Sequence, residues 1–258
     1  MPSTNMKFGE FIDFTVKRRF GIITLNRILR ANSFDIQQFE NLKKVVEYCQ
    51  GNEKIRGLII TNNGTSFSTG VDIGMIDGSD HQAVKYLEKT AADICKLLYN
   101  GKPSICAVNG RTMGEGVVFL SCCDYRIATK DSFFQMPEIF SGIFTGTGCL
   151  VIFSKVLGIP FTKKMCMFAE KLNTNQALEI GLIDKIVNTK NELMEIALDK
   201  ARFLSLKNQM ILNLIKLCVN NLSNRNYQKA YLIEKEASSW YQQKNKTKFL
   251  KILKKKIE

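Results

Sequence analysis

The sequence predicts an α/β protein: strands and helices alternate through a sheet-built core, and helices alone make up the C-terminal end. Three observations carry this expectation. Short apolar or β-branched runs, Arg56 to Thr61, Ser104 to Val108 and Tyr125 to Ala128, recur with helix-periodic segments between them. Glycine-containing polar turns, such as NNGTS and NG, follow the strand-like runs. From Asn191 onward almost no Gly or Pro interrupts the helical pattern. A soft boundary is therefore expected near residue 200, with 1–200 as the core and 201–258 as a helical region that covers it or docks onto a partner subunit.

Taken in order, Phe11 to Val16 and Gly21 to Leu25 read as a hairpin. Asn26 to Asn32 is a loop carrying Arg27 and Arg30. Ser33 is placed to cap the next helix, with Asp35 in its first turn, and Phe34, Phe39, Leu42, Val45, Val46 and Cys49 follow at helical spacing. The strand Arg56 to Thr61 leads through NNGTS into FSTGVDI, a second strand running into a glycine-containing loop. Ile73 to Asp80 is polar and glycine-rich, and Gln82 to Tyr99 is a helix that Gly101-Lys102-Pro103 breaks. Leu150 to Leu157 is a buried helix stopped by Gly158-Ile159-Pro160. Phe161 to Phe168 is a short helix, and Asn173 or Thr174 caps another that ends at Gly181.

Composition narrows the function. The 258 residues are 45% hydrophobic, enough for one large domain or one with a helical appendage. No uncharged apolar run approaches the ~18–20 residues that span a membrane. The N-terminal MPSTNMKFGEF holds no long apolar block, so a soluble cytoplasmic protein is expected. Eight cysteines with no C-x-x-C and a single histidine, His81, argue against zinc and for reduced, buried thiols. The net charge of +13 favours anionic partners, but no nucleic-acid motif accompanies it, and the basic residues concentrate in the terminal KNKTKFLKILKKKIE.

The catalytic inventory is thin. One histidine excludes most Ser-His-Asp and Cys-His arrangements, and no G-x-S-x-G, Walker loop or strand–GxGxxG–helix unit is present. The stretch Ser104 to Gly148 is the most informative. A strand ends at Asn109-Gly110, MGEG leads into the apolar run Val117 to Cys122, and Pro137-Glu138 follows a second strand. A strand, a glycine turn and a helix start aim free backbone N–H groups at an anion, and one nearby carboxylate carries a proton. That toolkit suits chemistry at an activated acyl group, where an enolate oxygen is held and a proton moved. The alternative is a buried strand–helix–strand unit whose glycines serve packing.

The strings FSTGVDI (67–73), KPSICAVNG (102–110), CDYRIATKDSFF (123–134), PEIFSGI (137–143) and LNTNQALEIGLIDKIV (172–187), in this order and spacing, resemble the crotonase (enoyl-CoA hydratase/isomerase) superfamily over nearly the whole chain. The resemblance implies a crotonase-like spiral of repeated ββα units with a C-terminal helical region, assembled as trimers or hexamers. It places the two oxyanion N–H groups on Val71 and Glu115, facing the oxygen of a coenzyme A thioester, which is substrate and not a resident cofactor. No metal is implied. The family usually has glycine where Glu115 stands, so the position must avoid positive φ or bear strain. Its carboxylate either points into the pocket or caps the helix start. Of two glutamates that share water in the family's hydratases, the first falls on Val118 and the second on Glu138.

That single-glutamate pattern looks like the Δ3,Δ2-enoyl-CoA isomerases, with Glu138 moving a proton from C2 to C4; the alternative for Glu138 is a structural carboxylate. The extra aspartate that dienoyl isomerases place near Thr145 is absent. Ligand contacts are implied at Arg30 or its neighbour Arg27, at Thr69, Asp72 and Ile73, and at Phe249 beside Lys251 to Lys256. Two rival readings stay open. One is a hydratase or dehydratase of the polyketide β-branching type, acting on chains bound to an acidic acyl carrier protein. The other is an acyl-CoA-binding protein that kept the fold without the activity.

Overall fold

A computed structural model of the chain describes residues 6–72, 74, 81–222, 229 and 231–233. The chain divides into two compact units, Met1–Leu206 and Lys207–Glu258. In the first unit, β1 (Met6–Lys7), β2 (Ile12–Lys17) and β3 (Phe20–Leu25) form an antiparallel meander that includes the expected hairpin. Asp35, not Ser33, caps α1 (Ile36–Gly51): its Oδ1 accepts from Gln38 N–H at 2.8 Å. Three strand–strand–helix units follow. They are β4 (Gly57–Asn62), β5 (Ser66–Ser68) and α2 (His81–Asn100); β6 (Ser104–Val108), β7 (Arg111–Met113) and α3 (Glu115–Ser121); and β8 (Tyr125–Thr129), β9 (Phe133–Gln135) and α4 (Cys149–Val156). The unit closes with α5 (Gly158–Met167), β10 (Leu172–Asn173), α6 (Thr174–Glu179), β11 (Lys185–Val187) and α7 (Lys190–Ser205).

The first strand of each ββα unit joins one sheet and the second strand another. The larger sheet runs β1-β2-β3-β4-β6-β8-β11, parallel from β3 onward; the smaller runs β10-β9-β7-β5, with β5, β7 and β9 parallel. Parallel strands need cover on both faces, and β4 and β6 are buried throughout. Side chains alternate as the pleat requires. Leu58, Ile60, Cys106 and Val108 join the core under α1 and α2, whereas Ile59, Ile105 and Ala107 meet Leu193, Ala197 and Ala201 of α7. Because α7 roofs the sheet's second face, the core extends past the expected boundary at 200 to the end of that helix.

Local signals hold at several ends. Asn173 and Gln176 exchange side-chain-to-backbone bonds in a capping box at α6, and Gly181 takes a positive φ just beyond it. Gly158-Ile159-Pro160 stops α4 as expected, at Val156, and the same tripeptide also begins α5; proline is tolerated there because its missing N–H belongs to a turn with no acceptor. The eight cysteines all lie among the described residues, and no disulfide joins any of them. In the second unit the described helix is α8 (Gln209–Leu222). Among the described residues no helix is long and apolar enough to cross a membrane.

Candidate active site

β5, β7 and β9 run side by side in one direction, so the segments leaving their C-terminal ends emerge together. These segments are Thr69-Gly70-Val71, Gly114-Glu115 and Met136-Pro137-Glu138. The small sheet thereby gathers Val71, Glu115 and Glu138, which lie 44 and 23 positions apart in sequence.

The first two segments touch through their glycines. Gly70 has φ +83°, and a Cβ built on it would sit 3.1 Å from Met113 O and 3.2 Å from Glu115 N. A side chain there would be strained by the positive φ and would press both segments apart by a few tenths of an ångström. Phe34 N–H donates to Gly70 O at 2.8 Å and Asp72 N–H donates to Phe34 O at 2.9 Å. This bridge leaves the Val71 N–H facing away from Phe34. Glu115 is the first residue of α3, where an amide has no intrahelical acceptor. Among the described residues, neither the Val71 nor the Glu115 amide donates to a protein acceptor. The strain expected at 115 falls one residue earlier, on Gly114, with φ +52° and ψ −126°.

Gly114 also makes room for the acid. A Cβ there would lie 2.7 Å from Glu138 Oε1. Glu138 opens a 3-10 turn, Glu138–Ser141, and its Oε2 is buried with no hydrogen-bond partner among the described residues. Burial raises its carboxyl above the ordinary value, opposed by its own backbone N–H. Two cavities meet at this side chain. The inner one, about 300 Å³, has apolar walls that include Ile36, Val84, Leu87 and Phe144. The outer one, about 600 Å³, includes Arg30, Ser33, Thr69, Asp72 and Gly114. Val71, Glu138 and Ile143 line both.

Glu115 sends its carboxyl into the inner wall and does not cap its own helix. Thr147 Oγ1 donates to its Oε2 at 3.2 Å, and Cys95 Sγ donates to its Oε1 at 3.7 Å. The residue is 6% exposed. Burial pushes the carboxyl up to about 7, against the two hydrogen bonds, and the charge of Glu138 adds to the rise. Val118 belongs to the apolar core and lines neither cavity.

The two arginines of the Asn26 to Asn32 loop part ways. Arg30 is exposed at the rim of the outer cavity. Arg27 is turned inward, with ion pairs to Asp35 at 2.8 Å and Asp72 at 2.9 Å, so its charge anchors the Val71 segment and is not offered to a ligand. Asp72 lines the outer cavity but spends its carboxylate on Arg27 and on the Ser33 hydroxyl, which donates to it at 3.3 Å. Thr69 lines the same cavity. Ile73, Phe249 and the lysines from 251 to 256 lie outside the described residues. Sequence reasoning missed Thr147 and Glu88, both in the inner wall. Glu88 had a signal: it follows Leu87 and stands four residues from Val84, a carboxylate inside the apolar stripe of α2.

The arrangement can hold an oxyanion between two main-chain amides and move a proton with a desolvated carboxyl. The chain as a whole is similar to several known proteins. A crotonyl-CoA hydratase from Syntrophomonas wolfei is 28% identical over 230 residues, covering 88% of each chain. A peroxisomal Delta(3,5)-Delta(2,4)-dienoyl-CoA isomerase from Arabidopsis thaliana is 23% identical over 66% of each. Among solved structures, an enoyl-CoA hydratase from Bacillus anthracis shares the fold with a TM-score of 0.85 at 22% identity, over 96% of this chain and 97% of that one. Pseudomonas aeruginosa DspI shares it with a TM-score of 0.83 at 24% identity, over 90% and 96%. The family model described as Enoyl-CoA hydratase/isomerase matches residues 16–255, and the chain belongs to that family.

Proposed function

We propose that the protein shifts a double bond in an acyl-CoA thioester. The amides of Val71 and Glu115 hold the thioester oxygen, the acyl chain enters the inner cavity, and the pantetheine arm leaves through the outer one past Arg30. Glu138 removes a proton from C2 of a 3-enoyl chain, made acidic because the enolate oxygen is held, and a proton is returned at C4. The observation that carries this reading is the buried, unpartnered Oε2 of Glu138 at the junction of the two cavities. A structural carboxylate would have its oxygens satisfied.

The position of Val118 in the core leaves the usual hydratase pair incomplete and supports migration over hydration. The net charge of +13 suits either the phosphates of coenzyme A or an acidic carrier protein presenting the same thioester. Exposed apolar side chains on α4 and α5, Val151, Ile159 and Met167, support assembly of copies into trimers or hexamers.

The test offers 3-enoyl-CoA and trans-2-enoyl-CoA thioesters to the wild type and to Glu138→Gln. Migration should occur in the wild type and fall by about 10²–10⁴-fold in the variant, with thioester binding retained. Hydration without migration would support a hydratase instead, and a wild type inert on every thioester would support a binding protein.

A further inference from the structure

Besides Glu138, two carboxyls that the single-acid scheme leaves idle line the inner cavity, Glu88 and Glu115, and of these Glu115 is the one held by hydrogen bonds from Thr147 and Cys95. Glu115 contributes its amide to one role, yet its side chain occupies the wall of the same cavity as Glu138. Their placement differs in a useful way. Glu138 lines both cavities, so it stands at the entrance to the inner one, where the thioester end of a chain would lie. Glu115 lines only the inner cavity, beside Thr147 of the β9–α4 connection and Cys95 of α2. A chain entering past Glu138 therefore reaches Glu115 with its more distal carbons. The two carboxyls also share surroundings: the thiol of Cys149, at the start of α4, is pushed up to about 12 chiefly by burial and further by the charges of both.

We propose that Glu115 is the acid that delivers the proton to the distal carbon, so that the double-bond shift uses two carboxyls rather than one. This rests on the reading of the site given above. Starting from a 3-enoyl thioester, the Glu138 carboxylate takes a C2 proton and the C2–H electrons move into the C2–C1 bond, forming a dienolate whose oxygen the two amides hold. The enolate then reforms its carbonyl, the double bond settles between C2 and C3, and C4 takes the proton of the Glu115 carboxyl. Glu138 is left protonated and Glu115 ionised. Proton exchange with water resets both before the next turnover, so no other reactant is consumed.

The environment suits a group that starts protonated. Besides Glu138 from the 3-10 turn, the titratable groups around Glu115 are Cys95 and Glu88 of α2 and Cys149 of α4, and Cys122, just past α3, adjoins Cys95. None is a cation, and among the described residues no lysine or arginine lines this cavity. Among the described residues Thr147 is the one hydroxyl that donates to the carboxyl.

The experiment uses the full chain and a 3-enoyl-CoA thioester carrying deuterium at both C2 positions. The product is examined for deuterium at C4, for the wild type and for Glu115→Gln, with kcat followed from pH 5 to 9 over about four pH units. Gln fills the same space, and thermal unfolding confirms that it folds. If Glu115 is the donor, the wild type places solvent hydrogen at C4 and its kcat falls as pH rises past about 7. In Glu115→Gln, kcat falls by about 10²-fold, that falling limb disappears, and the residual turnover returns the C2 deuterium to C4 through Glu138. Thr147→Val, which removes a donor to the carboxylate form, should move the limb to higher pH. The proposal is overturned if C4 carries the same deuterium in both proteins, or if Glu115→Gln changes KM alone; double-bond migration would then stand with Glu138 as its only acid. A wild type that shifts no double bond overturns this proposal and the reading beneath it together.

Discussion

Replacing Glu115 by Gln should stabilise the protein, and only above mildly acidic pH. The carboxyl is 6% exposed and its proton is held up to about 7, against an ordinary value of 4.5, chiefly by burial. Below 4.5 both folded and unfolded chains hold the proton, and the group contributes nothing to the pH dependence. Between 4.5 and about 7 the unfolded chain has released it while the folded chain keeps it, so folding stability falls as pH rises. Above about 7 the folded state is ionised too and the loss is complete. At about 1.36 kcal/mol per pH unit, the span amounts to roughly 3 kcal/mol. A Gln side chain keeps an oxygen for Thr147 and carries no charge to desolvate. The stability difference between Glu115→Gln and wild type should therefore be near its baseline at pH 4 and rise by about 3 kcal/mol by pH 8. Urea denaturation at a series of pH values reads it directly. A difference that stays constant with pH would refute the reasoning, because a packing or hydrogen-bond effect of the amide has no reason to follow the titration of a carboxyl.

Other perturbations separate the parts of the site. Gly70→Ala places a Cβ 3.1 Å from Met113 O and 3.2 Å from Glu115 N at φ +83°; by forcing the two amide-bearing segments apart it should lower kcat by about 10²–10³-fold with little change in the far-ultraviolet circular dichroism. Arg27→Met strips Asp35 and Asp72 of their shared cation; a loss of about 3 kcal/mol in urea denaturation is expected, and because Asp72 adjoins Val71, kcat should fall as well. An unchanged stability would mean that the pairs are replaced by solvent at no cost.

The parts of the fold that were legible are those whose signal is local. β4 and β6 are β-branched or apolar runs because both faces of a parallel sheet are covered, and the apolar stripes of α1 and α2 repeat at helical spacing for the same reason. β7 and β9, by contrast, are three residues each and carry Arg111 and Gln135, too short and too polar to show a period. Their pairing is nevertheless what brings the three segments of the candidate site to one edge. Lys102 reads as part of a helix-breaking Gly-Lys-Pro, yet its ammonium donates to the carbonyls of Cys49, Asn52 and Ile55, each at 2.8 Å, and so closes the end of α1. No sequence pattern announces a cation gathering carbonyls from about 50 residues away.

The site divides along the same line. A backbone device leaves a trace in the residues that build it: a turn that must take positive φ and let another chain segment approach needs glycine, and Gly70 and Gly114 stand at those places. A side-chain device leaves its trace in partners that are distant in sequence. Cys95 lies 20 residues before Glu115 and Thr147 lies 32 after it, so whether residue 115 capped its helix or faced the cavity was undecidable until those partners were placed. Arg27 and Arg30 differ in the same way, one folded onto two carboxylates and one left at the cavity rim, although both sit in one loop. Gly114 resolves the apparent conflict at the turn. Because Gly114 takes the positive φ itself, residue 115 is free to be something other than glycine, and this chain puts a buried carboxyl there while its amide keeps the first position of α3.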